Sequence, residues 1–229
     1  ITKFVFNGAT ISDGATMGGG DRYGFFFSGS GSVNIHADDG SVSSGLKEIV
    51  VDMGGDTRTV AVSGGVATVS IPAGFKGFIS AYAVDNVENR SDTQRPDGVV
   101  SESSNWHNNA VSVNLSLPST SRKDSAGNPL YNSDVSVGAT VGCSMSGIRS
   151  VSFGVGSETL GSATVDSNGN ISGNARIVSS DNNLVVSASS TISVTGNENA
   201  LRVWVKVVDR LGNSSEDEKL ISIDKDDPV

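Results

Sequence analysis

The chain is poor in the residues that usually carry chemistry. Of its 229 residues only Cys143 is a cysteine and only His36 and His107 are histidines. One cysteine allows no internal disulfide, so each folded unit must be held by an apolar core of its own. Cys143 follows Val137, Ala139 and Val141 in an alternating apolar run, which suits a small buried hydrophobe; no His or Lys stands near it to activate the thiol. His36 lies in phase with Asn34 and Asp38, facing solvent, and neither histidine adjoins a nucleophile motif or forms a metal-spaced pair. These absences predict a protein that is not an enzyme and needs no cofactor or metal.

Other shortages exclude partners. No apolar run approaches the roughly 20 residues of a membrane helix, so direct membrane insertion is not expected. The net charge is −9, with 7 Lys/Arg against 12 Asp/Glu over residues 1–105 and 9 against 13 over 106–229. No basic stripe interrupts the excess, which argues against nucleic acid and anionic membrane surfaces. Aromatic content of 6% leaves little from which to build a flat sugar-stacking platform. Runs of Ala, Leu, Glu and Lys that would make long helices are missing too.

What is abundant is turn and strand material: 28 glycines among many Ser, Thr, Asn and Val. Gly supplies positive φ, and Asn and Ser bond their own backbone, so the mixture reads as short strands joined by tight turns. The chain is expected to be all-β.

The strongest signal is internal repetition. Ser32-Val33-Asn34-Ile35-His36-Ala37 aligns with Asp134-Val135-Ser136-Val137-Gly138-Ala139 at a shift of 102, and the same shift places Ser44-Gly45-Leu46-Lys47 on Ser146-Gly147-Ile148-Arg149. Later, Ile79, Ala81 and Ala83 alternate up to Asp85 as Val203, Val205 and Val207 do up to Asp209, now at a shift of 124. The second copy therefore holds 22 extra residues, expected around Asp166–Asn170 and the Ser-rich stretch after Arg176. The boundaries are 1–104 for the first copy and 105–229 for the second. Gly212 is suited to a left-handed turn after Asp209; Glu88 replaces it in the first copy, so either Asn89 takes the positive φ or the turn differs in type. Seven or more short strands per copy with period-two alternation predict two-sheet sandwiches. One strand is expected over 171–177, two more over 184–187 and 191–195, and Phe25–Phe27 is expected to be half in the core.

Val207-Val208-Asp209-Arg210-Leu211-Gly212-Asn213-Ser214-Ser215, followed by Ile221-Ser222-Ile223-Asp224-Lys225-Asp226-Asp227-Pro228-Val229, resembles the closing strands of bacterial immunoglobulin-like (Big-type) repeats. Leu130–Val135 resembles that family's entry into an early strand, and Ser146-Gly147-Ile148 its next turn; the first copy is more divergent. The resemblance implies two tandem immunoglobulin-like β-sandwich domains of an extracellular protein, secreted or attached to the cell wall. It implies stalk or adhesin roles, or an accessory module beside a glycan-degrading enzyme. Partners would be neighbouring repeats, a host or bacterial surface protein such as an immunoglobulin, or a glycan. The absence of a signal peptide and the opening directly in a strand predict an internal piece of a longer protein.

Candidate binding residues are few. Trp204 and Lys206 alternate against Val203, Val205 and Val207, so both should face outward on one strand as a protein-binding patch. Trp106 lies between the copies, placed either to wedge them together or to meet a ligand. Asp224, Asp226 and Asp227 suggest calcium only weakly, because their spacing matches no defined loop. A Lys-based isopeptide cross-link would need Lys3 or Lys47 turned into the core.

Overall fold

The computed structural model describes every residue except 13, 14, 17, 19, 42, 104–110, 143, 144, 167–169, 181–183, 194, 195 and 227–229. Among the described residues there are strands and turns and no helix. The chain divides into two compact units, Ile1–His107 and Asn108–Val229. The division expected after residue 104, together with Trp106 and His107, falls outside the described residues, as do Cys143 and Asp227.

Unit 1 contains β1 (Lys3–Asn7), β2 (Thr10–Ile11), β3 (Tyr23–Phe27), β4 (Gly31–His36), β5 (Leu46–Met53), β6 (Asp56–Ala61), β7 (Val66–Ile71), β8 (Lys76–Gly77), β9 (Ile79–Asp85) and β10 (Gly98–Ser101). They form three sheets, ordered β1-β4-β7, β6-β5-β9 and β2-β3-β10-β8. Period-two alternation aims Val33, Ile35 and Val69 from the first sheet at Ile49, Val51 and Ile79 from the second, all at most 4% exposed. The third sheet closes the side of this sandwich. Phe25, Phe26 and Phe27 are all buried, not half so, because β3 lies within that closing sheet and is covered on both faces.

After β9 the chain first returns along that strand, with bridges from Arg90 to Val84 and from Gln94 to Ala81. Pro96 has no N–H to continue the ladder. The chain crosses instead to the third sheet, where β10 runs parallel to β3. Asp97, fully buried at this crossing, accepts from the Thr16 backbone N–H at 2.8 Å, the Gly20 N–H at 3.1 Å and Arg22 Nε at 2.8 Å. It anchors the segment between β2 and β3. Burial pushes its pKa upward, but the Thr16 and Gly20 N–H groups and Arg22 outweigh that and hold it below the ordinary 3.8.

Unit 2 contains β11 (Ser112–Ser116), β12 (Leu130–Tyr131), β13 (Val135–Gly142), β14 (Ile148–Val155), β15 (Glu158–Val165), β16 (Ile171–Gly173), β17 (Arg176–Ser180), β18 (Leu184–Ile192), β19 (Glu198–Asp209) and β20 (Ser214–Ile223). Here the sandwich has two sheets, β11-β13-β18-β17 and β12-β20-β19-β14-β15-β16. Val135, Val137 and Ile192 meet Phe153, Val203 and Val205 in one core. Side chains of β20 also reach the backbone of β11: Asp217 accepts from the Leu115 N–H at 2.7 Å, and Lys219 Nζ donates to the Leu115 carbonyl at 2.5 Å.

Both units thus have the immunoglobulin-like arrangement of an all-β sandwich, with a short early strand running parallel to the closing strand in each (β3 with β10, β12 with β20). The repeat shifts are visible in the strands themselves. β5 and β14 begin and end 102 residues apart, and β9 and β19 both end on the aspartate that opens the next turn. The extra residues lie between β15 and β18, where unit 1 passes from β6 to β7 through Ser63-Gly64-Gly65.

Two strand boundaries differ from expectation. The run 171–177 is two strands on opposite sheets, broken at Gly173, whose φ is +123° and whose absent Cβ would stand 2.1 Å from the Ser162 carbonyl oxygen. Residues 184–192 are one strand rather than two short ones, with 187–192 paired continuously to β13.

The turn after β9 is the same as that after β19. In each, the aspartate accepts the N–H of residues i+2 and i+4 and the side-chain amide of Asn i+4: Val87 and Asn89 on Asp85, Leu211 and Asn213 on Asp209, all at 2.8 to 2.9 Å. Glu88 itself carries the left-handed conformation, with φ +69°, where unit 2 has Gly212 at φ +89°. Neither alternative expected for this turn holds. The three bonds to Asp85 span Glu88 from both sides, and its side chain is held by Lys47 Nζ at 2.5 Å.

Candidate protein-interaction face

Strand phase places Arg202, Trp204 and Lys206 of β19 on the outer face of the six-stranded sheet, opposite the fully buried Val203, Val205 and Val207. Register brings Trp204 beside Gly154 on β14 and Glu218 on β20, and Lys206 beside Ser152 and Glu216. Trp204 is half-buried rather than freely exposed. Its ring lies flat over Gly154, where an added Cβ would stand 2.1 Å from Trp204 Cζ2, and its Nε1 donates to the Gly156 carbonyl at 3.1 Å.

Arg202 was not singled out by the sequence, yet it is the most constrained side chain on this face. Its Nε donates to Glu218 at 2.5 Å, Nη2 to Glu216 at 2.5 Å and Nη1 to the same Gly156 carbonyl at 3.0 Å. The Glu218 hydrogen bond, supported by Glu216, raises its pKa above the ordinary arginine value. Alternation along β20 would have revealed the carboxylates; only the pairing of β19 with β20 shows that they share one guanidinium. Lys206 stays exposed, and Leu220 is 48% exposed across from Arg202. Around this centre the face is hydroxyl-rich, with Ser150 and Ser152 on β14 and Thr164 bonded to Ser172 at 2.9 Å between β15 and β16. Among the described residues, this flat surface holds the pinned ring of Trp204, the pinned guanidinium of Arg202 and the exposed Lys206.

Two grooves among the described residues are shallow and polar. One of about 560 Å³ in unit 1 is bordered by His36, Asp38 and Asp39, and one of about 270 Å³ in unit 2 by Asp124, Asn197 and Asp224. At the second, Asp226 accepts from Asn197 Nδ2 at 2.8 Å and Asp224 from the Asp226 N–H at 3.2 Å. Asp124 carries another copy of the aspartate clasp, to Ala126 and Asn128. The Ser222 hydroxyl and the Asn128 amide draw its pKa down to about 2. No group of three His, Cys, Asp or Glu able to hold a metal occurs among the described residues. Lys3 and Lys47 are exposed and so do not enter the core.

No family model matches the chain, and neither does any curated protein. Among solved structures it is similar to the fibronectin(III)-like modules of CbhA from Clostridium thermocellum. That match has 14% identity over 96% of this chain and 93% of that one, with a TM-score of 0.39. It is also similar to dimeric latent PorU from Porphyromonas gingivalis, at 12% identity and a TM-score of 0.36, covering 99% of this chain but 24% of PorU. The chain thus spans about a quarter of PorU. At this distance neither likeness bears on ligand or activity, and the functional reading rests on the site.

Proposed function

We propose that the chain is a non-catalytic, extracellular part of a bacterial surface protein, an adhesive or spacer pair of repeats that meets a protein partner on the outer face of unit 2. Such a partner would be a host glycoprotein or immunoglobulin, or another surface protein. The observation that carries this reading is the fixed Trp204: a large ring held flat by Gly154 and the Gly156 carbonyl, beside Arg202 and Lys206. Pinning side chains before contact lowers the entropy cost of binding, and Trp and Arg are the residues that most often dominate interfaces. A single such ring does not make a neutral-sugar platform, which favours protein over glycan on this face.

The test is capture of serum and mucus proteins by the full chain, followed by affinity measurement with each captured partner. Trp204→Ala should weaken binding about 30-fold, the equivalent of ~2 kcal/mol. Lys206→Glu should weaken it without altering the melting temperature, because Lys206 is exposed and makes no contact that the fold needs. Binding that survives both substitutions would refute the assignment to this face.

A further inference from the structure

We propose that unit 1 carries a binding row for an acidic polysaccharide, formed by Lys76, Arg95 and Arg90 seated on Tyr23, Phe78 and Tyr82. All three cation–aromatic contacts among the described residues occur here: Lys76 Nζ is 5.1 Å from the Tyr23 centroid, Arg95 Cζ 4.5 Å from Phe78, and Arg90 Cζ 5.4 Å from Tyr82. Five of the six residues fall within 76–95, and the fold brings Tyr23 to them from β3. Tyr82 takes the outward phase of β9, and Phe78 lies just before that strand, four residues along the chain. Tyr23 reaches the same row from β3 by stacking on Phe78 with centroids 5.5 Å apart. Gly98 permits this, since a Cβ there would stand 2.7 Å from Tyr23 Cδ1 and 3.1 Å from Phe78 Cε1.

What makes the row a binding site rather than packing is the state of its donors. A guanidinium laid on a ring uses its face and keeps its in-plane N–H groups for an oxyanion, while the ring fixes its position. Arg90 and Lys76 make no hydrogen bond or ion pair with any described residue. Burial without a carboxylate partner also lowers the Lys76 pKa. Arg95 Nη2 donates to the Gly20 carbonyl at 3.3 Å and to Asp21, a carboxylate 94% exposed, at 3.1 Å, which leaves its Nη1 and Nε for a ligand. In a chain of net charge −9 this is a group of neighbouring cations with spare donors, edged by half-buried rings. Repeating carboxylates or sulfates match the donors, and sugar C–H faces match the ring edges. The row belongs to unit 1 and is independent of the Trp204 face.

Titration of the full 229-residue chain with polygalacturonate and with heparin separates a carboxylate ligand from a sulfated one; dextran is the neutral control and duplex DNA the non-sugar polyanion. Binding to at least one acidic polysaccharide is expected, weakening with added salt. K76Q/R90Q should reduce it at least tenfold with an unchanged melting temperature, and Arg122→Gln in unit 2 should leave it unaltered. Three results would overturn the proposal: no salt-sensitive binding to either polysaccharide, binding that survives K76Q/R90Q, or equally tight binding of duplex DNA.

Discussion

The two units share a strand plan but protect the same side of it differently. In unit 2 the sheet edge at β15 is covered by β16, and the facing edge at β18 is covered by β17. Both covering strands come from the extra residues. Unit 1 lacks them, so β6 is an edge strand with every residue exposed except the half-buried Val60. Its defence is chemical. Asp56 and Arg58, paired at 2.5 Å, occupy the strand phase of Val60, which packs on the core. Charges in the inward phase of an edge strand would be buried by any strand that docked there, so they repel docking. One fold thus shows two solutions to an open edge, added backbone and inward charge.

A second contrast lies on the outer faces. The pair Asp52 and Ser80 in unit 1 occupies the same register position as Gly154 and Trp204 in unit 2. The change is coordinated: a tryptophan laid flat across the neighbouring strand needs a residue without Cβ beneath it. At this register position unit 2 has a large fixed ring where unit 1 has Ser80.

The largest effect that would break the comparison is at the crossing peculiar to unit 1. Asp97→Ala removes the acceptor of two backbone N–H groups and Arg22 from a fully buried position. It should destabilise unit 1 by about 3 kcal/mol, read as a lowered denaturation midpoint with unit 2 unaffected. The same group sets a pH dependence. Its folded pKa is depressed, so its contribution is complete above the ordinary 3.8 and is lost as pH falls through the lower folded value. Wild type should lose stability on acidification below pH 3.8 more steeply than Asp97→Ala, and parallel acid curves would refute this account.

Gly154→Ala comes next, in unit 2. The new Cβ collides with the Trp204 ring and with the Glu158 carbonyl oxygen at 2.2 Å, for a cost of about 2 kcal/mol. Adding Trp204→Ser should recover only part of it, because the backbone collision persists; full recovery would show that the ring alone demands the glycine.

Glu88→Gly should raise the melting temperature of unit 1 by roughly 2–4 °C, since it relieves a left-handed residue bearing Cβ. A lower melting temperature would mean that the Lys47 contact matters more than the backbone. The smallest thermal effect belongs to the edge. Replacing both Asp56 and Arg58 with Val should change stability by about 0.5 kcal/mol or less yet make the chain self-associate more than wild type by sedimentation. A chain that associates no more than wild type would show that the charges do not guard β6.

Alternation of apolar residues was enough to read the all-β class, the repeat and its two shifts, because a period of two survives in any strand with one buried face. The four-fold use of the aspartate clasp was legible as Asp followed by Asn at i+4 at positions 85, 124, 166 and 209, although only the turns at 85 and 209 drew attention as a pair. The outward facing of Trp204 and Lys206 followed from strand phase alone.

What the residues decided by themselves is therefore local: which positions alternate, where turns fall, and which aspartates close them. Tertiary structure decided everything that depends on which strands become neighbours. Only pairing could show that β16 and β17 separate at Gly173 to cover two different sheets, that Arg202 is shared between Glu216 and Glu218, and that Lys76, Arg90 and Arg95 each find a ring. The physical reason is range: alternation and turn chemistry act over a few residues, whereas register and sheet order are set by the packing of a whole core.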